Sequence, residues 1–253
     1  MKPYYQNELT TIYNGDTLEV MDYLIEQGIK VDAIITDPPY GTTACKWDVV
    51  IPLDKMWERL NKLIKPNGAI VLFGSEPFSS ALRMSNIKNY KYDWIWDKKI
   101  SANFASANRQ PLKITENILI FNSKLYYPIK IKGKLRKKGG GKQFVGVYGI
   151  NKEDKVTDPY LSDMYHPKNI IEVSNANQRG KVHPTQKPVA LMEYLIKTYT
   201  KKGDIILDFT AGSFSTCVAA EQLERKSIGI ELEQRYCDIG VERLSSLQTK
   251  LDI

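Results

Sequence analysis

Cysteine is scarce in this 253-residue chain. The three that occur, Cys45, Cys217 and Cys237, are odd in number, far apart and without the paired spacing of a zinc site. That pattern excludes a disulfide framework and indicates no metal, which leaves reduced thiols as the expected state. No apolar run approaches the length needed to cross a bilayer, and the first ten residues lack the apolar core of a signal peptide. A soluble, cytoplasmic protein is the expectation. No repeat of solenoid period occurs, so the length suits one large α/β domain with room for a small insertion.

Positive charge is in excess. Lys and Arg number 36 against 29 Asp and Glu, a formal net charge of +7. Such a balance fits a partner that carries phosphates, although it also suits an ordinary protein surface.

Short β-branched runs alternate with amphipathic stretches. Strands at 9–13 and 33–36 flank a helix at 17–27; a helix at 53–64, a turn at Lys65-Pro66-Asn67-Gly68, a strand at 69–73 and a helix from about Glu76 follow. Strands at 92–96 and 117–121 continue the series. The rhythm then breaks. Every charged residue between 124 and 142 is basic, and Gly139-Gly140-Gly141 favours a mobile loop. Polar sequence without a clear period runs on to about Val182, so 124–182 is read as an insertion outside the sheet. The βαβ pattern resumes with helices at 189–199, 216–223 and 234–247 around strands at 205–207 and 227–230. The expected fold class is α/β, an open, mostly parallel twisted sheet with helices on both faces.

Two local patterns carry chemistry. Asp37-Pro38-Pro39-Tyr40 follows the apolar strand Ala33-Ile34-Ile35-Thr36, at a carboxyl end, where open α/β sheets place ligands. The exocyclic amine of a nucleobase is a poor nucleophile because its lone pair is delocalised into the ring, so a catalyst must accept hydrogen bonds from it. The Asp37 carboxylate supplies one acceptor and the Pro38 carbonyl a second, while Pro38 and Pro39 hold the backbone open. Tyr40 offers a flat face for an extruded base; stacking returns roughly 1–3 kcal/mol against the few kcal/mol that extrusion costs. Without that chemistry the tetrapeptide is a proline turn in which Asp37 caps and Tyr40 packs. The second pattern is Asp208-Phe209-Thr210-Ala211-Gly212-Ser213, between a strand and a helix, with Glu231 ending the next strand. It has the outline of a mononucleotide-binding half: the small turn lets a ligand approach the backbone, and the acidic side chain accepts bonds from a ribose diol.

These motifs keep company in a particular order with Asn14-Gly15-Asp16, residues 94–98 and 116–121, and His183-Pro184-Thr185-Gln186-Lys187-Pro188. In that order, over nearly its full length, the sequence resembles the β-class S-adenosylmethionine-dependent DNA amino-methyltransferases. The resemblance implies direct in-line methyl transfer to the amine of a flipped base in double-stranded DNA. An initial Asp at position 37 favours adenine N6, with cytosine N4 as the alternative. It implies further that Asp16 bonds the adenine amine of S-adenosylmethionine, that Asp208, Phe209, Thr210, Ala211, Gly212 and Ser213 hold its methionine portion, and that Glu231 takes its ribose hydroxyls. Lys187 is expected to meet the cofactor's carboxylate, with the segment from His183 closing over it. The family's target-recognition region follows the 117–121 strand, which assigns DNA contact to Lys130, Lys132, Lys134, Arg136, Lys137, Lys138 and Lys142. The chain thus divides into a catalytic half (1–123), a target-recognition insertion (124–182) and a cofactor-binding half (183–253). A homodimer and a cognate restriction endonuclease are partners that the resemblance admits; a membrane is not.

The family pattern Asp-Pro-Phe-x-Gly-Ser-Gly is broken here. Phe209 and Thr210 replace Pro-Phe, and Phe214 stands where the second glycine is expected. A side chain in the left-handed conformation costs roughly 1–2 kcal/mol. Phe214 is therefore expected either to turn its ring outward or to weaken cofactor binding, the second outcome leaving a cofactor-impaired DNA-binding protein.

Overall fold

The computed structural model describes residues 1–42, 48–101, 103–139, 158–175 and 186–251, with side chains to 247. Lys142 and His183 lie outside the described residues. The chain divides into two compact units, one formed by Met1–Tyr127 with Asn169–Ile253 and the other by Pro128–Lys168. Among the described residues no helix is long and apolar enough to cross a membrane.

The elements run β1 (Tyr5–Gln6), β2 (Thr10–Asn14), α1 (Thr17–Glu26), β3 (Val31–Thr36), α2 (Leu53–Leu63), β4 (Ile64–Gly74), α3 (Phe78–Ser85), β5 (Tyr90–Asp97) and β6 (Thr115–Phe121). The smaller unit holds β7 (Ile131–Lys138) and β8 (Tyr160–Tyr165). There follow β9 (Ile170–Glu172), α4 (Val189–Tyr199), β10 (Ile205–Asp208), α5 (Ser215–Gln222), β11 (Lys226–Glu231) and α6 (Gln234–Leu251). Nine strands make one sheet in the order β1-β2-β11-β10-β3-β4-β6-β5-β9. The five from β2 to β4 are parallel, and β6 runs against its neighbours β4 and β5.

Strand alternation sends successive side chains to opposite faces, and here both faces are covered, which is why β3 and β4 read as continuous apolar runs. Ile34, Ile70, Leu72 and Leu207 pack with Met21 of α1, Leu60 of α2 and Leu82 of α3. Ala33, Ile35, Val71, Phe73 and Ile206 meet Leu191 and Leu195 of α4 and Ala219 of α5 on the other side. Each buried Val, Leu, Ile, Met or Phe among them contributes roughly 1.5–3 kcal/mol. The fold class is the one expected: an α/β, mostly parallel sheet between two helical layers.

Three local expectations are corrected. Residues 65–68, expected as a turn between helix and strand, bulge out of β4, since Val31 pairs with Ile64 and Ala33 with Ala69. Gly68 is required there, because a Cβ would come within 2.5 Å of the Asp32 carbonyl. The basic segment expected as a loop is strand β7, paired antiparallel with β8. Its partner strand supplies what its own composition lacks: the Tyr165 ring lies against Gly133, where a Cβ would meet it at 2.8 Å. The region outside the sheet is also narrower than 124–182, because β9 pairs with β5 inside it and the Tyr127 amide donates to the Thr198 carbonyl at 2.9 Å.

Candidate active site

Neighbouring strands β3 and β10 send the chain in opposite directions, β3 on to β4 and β10 on to β11. Open α/β sheets form their ligand crevices at such a switch point, outside the carboxyl ends. A cavity of about 560 Å³ lies there, lined by residues following β2, β3, β10 and β11 and by Glu116 at the start of antiparallel β6. Asp16, Asp37, Pro38, Pro39, Tyr40, Lys187, the whole 208–213 turn and Glu231 all line it. The structure thus brings together every described catalytic and cofactor residue expected from sequence.

Asp37 is held from two sides. Its Oδ1 accepts the Tyr40 hydroxyl at 2.5 Å, and its Oδ2 accepts the Lys187 ammonium. Lys187, 8% exposed, also lies 3.5 Å from Glu116 Oε2, and Glu116 Oε1 accepts Lys98 Nζ at 3.1 Å. Two cations and two anions therefore alternate, and buried charges persist only when paired in this way. Burial pushes the Asp37 carboxyl up, Lys187 opposes that, and the net direction is upward. Burial also pushes Glu116 up, but Lys187 and Lys98 reverse it and hold Glu116 below its ordinary value. Lys187, expected to meet a cofactor carboxylate, is paired in this structure with the protein's own carboxylates, Asp37 and Glu116.

Tyr40 stacks on Phe78, with ring centroids 5.1 Å apart and planes inclined by 26°. Burial first, and the Asp37 charge second, push its hydroxyl well above the ordinary value, so it remains a neutral donor.

The catalytic and glycine-containing turns are tied to each other. Thr36 Oγ1 donates to Asp208 Oδ1 at 2.6 Å. The Thr210 hydroxyl faces Thr36 Oγ1 at 2.7 Å and the Asp37 carbonyl at 3.1 Å, sharing one proton between them. The departure from the family pattern at Thr210 thus acquires a role, as a staple between strands β3 and β10. Phe209, the neighbouring departure, is fully buried in the core.

Burial pushes the Asp208 carboxyl up to about 6, against the Thr216 and Thr36 hydroxyls that donate to it. The folded chain therefore holds this proton more tightly than the unfolded chain does. The group's favourable contribution is complete below the ordinary carboxyl value and is lost as pH rises through about 6. Asp208→Asn, whose amide oxygen keeps the Thr36 bond, is expected to be more stable than the parent at pH 7.5. That advantage should shrink toward pH 4.5 when thermal unfolding is followed at both values.

On the other turn Glu231 is fixed by backbone donors: Oε2 accepts Gly212 N–H and Oε1 accepts Glu233 N–H, each at 2.8 Å. Asp16 caps α1, its Oδ1 accepting the Leu18 amide at 2.8 Å and the Glu19 amide at 3.2 Å. Both bonds fall on one oxygen.

Phe214 adopts φ 60 and ψ 29, the left-handed conformation a glycine would take freely. Its ring neither turns outward nor lines the cavity; it is 0% exposed and packs with Ile12, Cys217, Cys237 and Leu244. Two glycines make the slot: a Cβ on Gly229 would stand 2.6 Å from Phe214 Cε1, and one on Gly240 would stand 2.7 Å from Cγ. Arg243 of α6 donates to the Ser213 carbonyl from the same side.

The basic residues expected to meet DNA lie in the smaller unit. Lys132, Lys134, Arg136, Lys137 and Lys138 are on β7 and Lys130 just precedes it, all exposed except the half-buried Lys138, whose Nζ sits 3.8 Å from the Tyr165 ring centre. Sequence reasoning assigned no role to Glu116, Lys98 or Arg243. A charged residue opening an apolar strand, as Glu116 does in Thr115–Phe121, is the signal that marked one of them.

The DNA methylase family, which covers N6 and N4 enzymes, matches residues 31–242. The Type II methyltransferase M2.DpnII of Streptococcus pneumoniae is 29% identical, the match covering 97% of this chain and 93% of that protein. A crystal structure of M1.HpyAVI with S-adenosylmethionine superposes with a TM-score of 0.63 at 30% identity, covering 93% of this chain and 99% of that one. The cytosine-N4-specific PvuII DNA methyltransferase shares the fold, with a TM-score of 0.67 at 19% identity over 96% and 88% of the two chains. With a matching family over most of its length and the expected motifs gathered around one cavity, the chain belongs to the S-adenosylmethionine-dependent DNA amino-methyltransferases.

Proposed function

We propose that the protein methylates the N6 amine of adenine in double-stranded DNA, on a base turned out of the helix. The observation that carries this reading is the shared cavity: the Asp37-Pro38-Pro39-Tyr40 turn opens into the same space as Asp16, Gly212 and Glu231. An Asp rather than a Ser at position 37 supports adenine over cytosine.

The residues present fit S-adenosylmethionine. Glu231, immobilised by two amides, is placed to accept from a ribose diol, and Asp16 Oδ2 is left by the helix cap for an adenine amine. Leu18, Ile51 and Leu232 give the cavity apolar wall, and Gly212, at φ 52, lets a ligand approach the backbone. Lys187 is assigned to Asp37 instead of to the cofactor. When bound, the cofactor supplies a sulfonium-activated methyl group that the amine takes up directly, without a covalent enzyme intermediate.

The chain's own contribution is orientation and charge. Asp37 and the Pro38 carbonyl accept the amine's hydrogen bonds and favour a more tetrahedral nitrogen, and the Asp37 carboxylate offsets the positive charge that develops there. Phe78 covers one face of Tyr40, which leaves the other for the extruded base. Residues 1–123 supply the catalytic turn together with Asp16, and 183–253 the 208–213 turn and Glu231 together with Lys187. The exposed cations of β7 are assigned to phosphate contact, which positions DNA without reading its sequence.

Nucleoside analysis by mass spectrometry of unmethylated DNA treated with the protein and S-adenosylmethionine tests the base assignment. N6-methyladenine is the expected product, and N4-methylcytosine in its place would refute adenine while leaving the class of chemistry intact.

A further inference from the structure

A substrate amine reaching Asp37 in this structure meets a carboxylate whose charge is already paired. Tyr40 occupies Oδ1 and the Lys187 ammonium occupies Oδ2. An ammonium in that position is also electrostatically wrong for the reaction, because it cancels the carboxylate just where the amine nitrogen becomes positive. A second acceptor for the same ammonium is built in beside it. Glu116 Oε2 is buried, accepts no hydrogen bond from any described residue, and stands 3.5 Å from Lys187 Nζ. Its sister oxygen is anchored by Lys98 at 3.1 Å, which fixes the carboxylate in place. Lys187 Nζ lies 5.2 Å from the Phe73 ring centre and 6.0 Å from that of Trp96, two π-faces that tolerate a cation at either position.

We propose that Lys187 is a two-position counterion, held on Asp37 until the target amine arrives and then received by Glu116, which makes Glu116 a positioning residue of the methyl-transfer reaction. The inference rests on Asp37 being the amine's acceptor. The exchange moves one ammonium a short way between two carboxylates and leaves the number of buried charges unchanged; the Asp37 charge it uncovers faces the amine nitrogen that becomes positive during transfer. It also gives a use to the Glu116 oxygen that stands 3.5 Å from the ammonium and makes no close hydrogen bond to a described residue.

The test compares Glu116→Gln with the double variant Glu116→Gln/Lys187→Met. Tritiated-methyl transfer to unmethylated bacterial DNA is measured at saturating cofactor, beside calorimetric affinity for S-adenosylmethionine and thermal unfolding. Glu116→Gln leaves Lys187 no second partner, and kcat is expected to fall roughly 10²-fold, the scale of losing one preorganised electrostatic element, while cofactor affinity is retained. Deleting the ammonium in the double variant should restore at least about tenfold of that kcat, because Asp37 is then uncompensated. A purely structural role for Glu116 makes the double variant no better than the single. That result, or an unchanged kcat in Glu116→Gln, overturns the proposal. Should Glu116→Gln fail to fold, the double variant decides alone, since it removes the charges as a pair: kcat within about tenfold of the parent supports the exchange and a lower value overturns it. Active Asp37→Ala would instead overturn the acceptor reading beneath it, so the two failures are distinguishable.

Discussion

Asp37→Ala is expected to lower methyl transfer to DNA by at least roughly 10²–10³-fold, the cost of removing one preorganised polar partner of a transition state, while S-adenosylmethionine still binds. Affinity survives because Asp37 contacts Tyr40 and Lys187 through its side chain, whereas the proposed cofactor contacts come from Asp16, the 208–213 turn and Glu231. Stability should fall too, since removing one partner of a buried ion pair strands the other at roughly 3–5 kcal/mol, moderated here by Glu116. Asp37→Asn, which keeps the shape and loses the charge, separates the two effects. Transfer of tritiated methyl groups and calorimetric titration with the cofactor are the measurements, and undiminished transfer in the alanine variant would sink the mechanism.

The second large effect is expected at Phe214. The ring fills a slot between Gly229 and Gly240, so Phe214→Ala should destabilise the chain by roughly 3–5 kcal/mol, the usual cost of emptying a buried aromatic site. Phe214→Gly empties the same slot but relieves the left-handed backbone, and should lie about 1–2 kcal/mol closer to the parent. Both variants should bind S-adenosylmethionine more weakly, because the Ser213 carbonyl and the start of α5 lose the packing that holds them. Denaturant unfolding gives the order parent, then Gly, then Ala. A glycine variant more stable than the parent would mean that the ring is a burden on the fold and not its anchor.

What could be read in advance follows from where the information sits. The Asp37 motif was legible because it lies directly behind an apolar strand, and Glu231 because it ends another; both depend on neighbours in sequence. The fate of Phe214 was not, since the glycines that make room for it are 15 and 26 positions later and reach it only through β11 and α6. Strand β7 was hidden for a similar reason. Lysines and a glycine dominate its own sequence, and the residues that make it a strand, Leu161 and Tyr165, belong to β8. Glu116 stood within a recognised segment, yet its meaning depends on Lys187, a residue 71 positions away that only the fold brings to it.

The sheet order has a consequence for how the chain comes together during synthesis. Strands β2 and β3 arrive within the first 36 residues but are not paired with each other; β11 and β10, from the last fifth of the chain, fill the gap between them. Until residue 231 has emerged, two apolar strands each lack a partner along one side, in the middle of the future sheet. Unpaired strand edges of that kind template aggregation. A nascent chain of this topology therefore completes its centre last, and the same event that seals the sheet brings Asp208 and Thr210 to Thr36 and Asp37. An incomplete chain is in consequence both sticky and catalytically empty, and the enzyme acquires its site and its cohesion in a single late step.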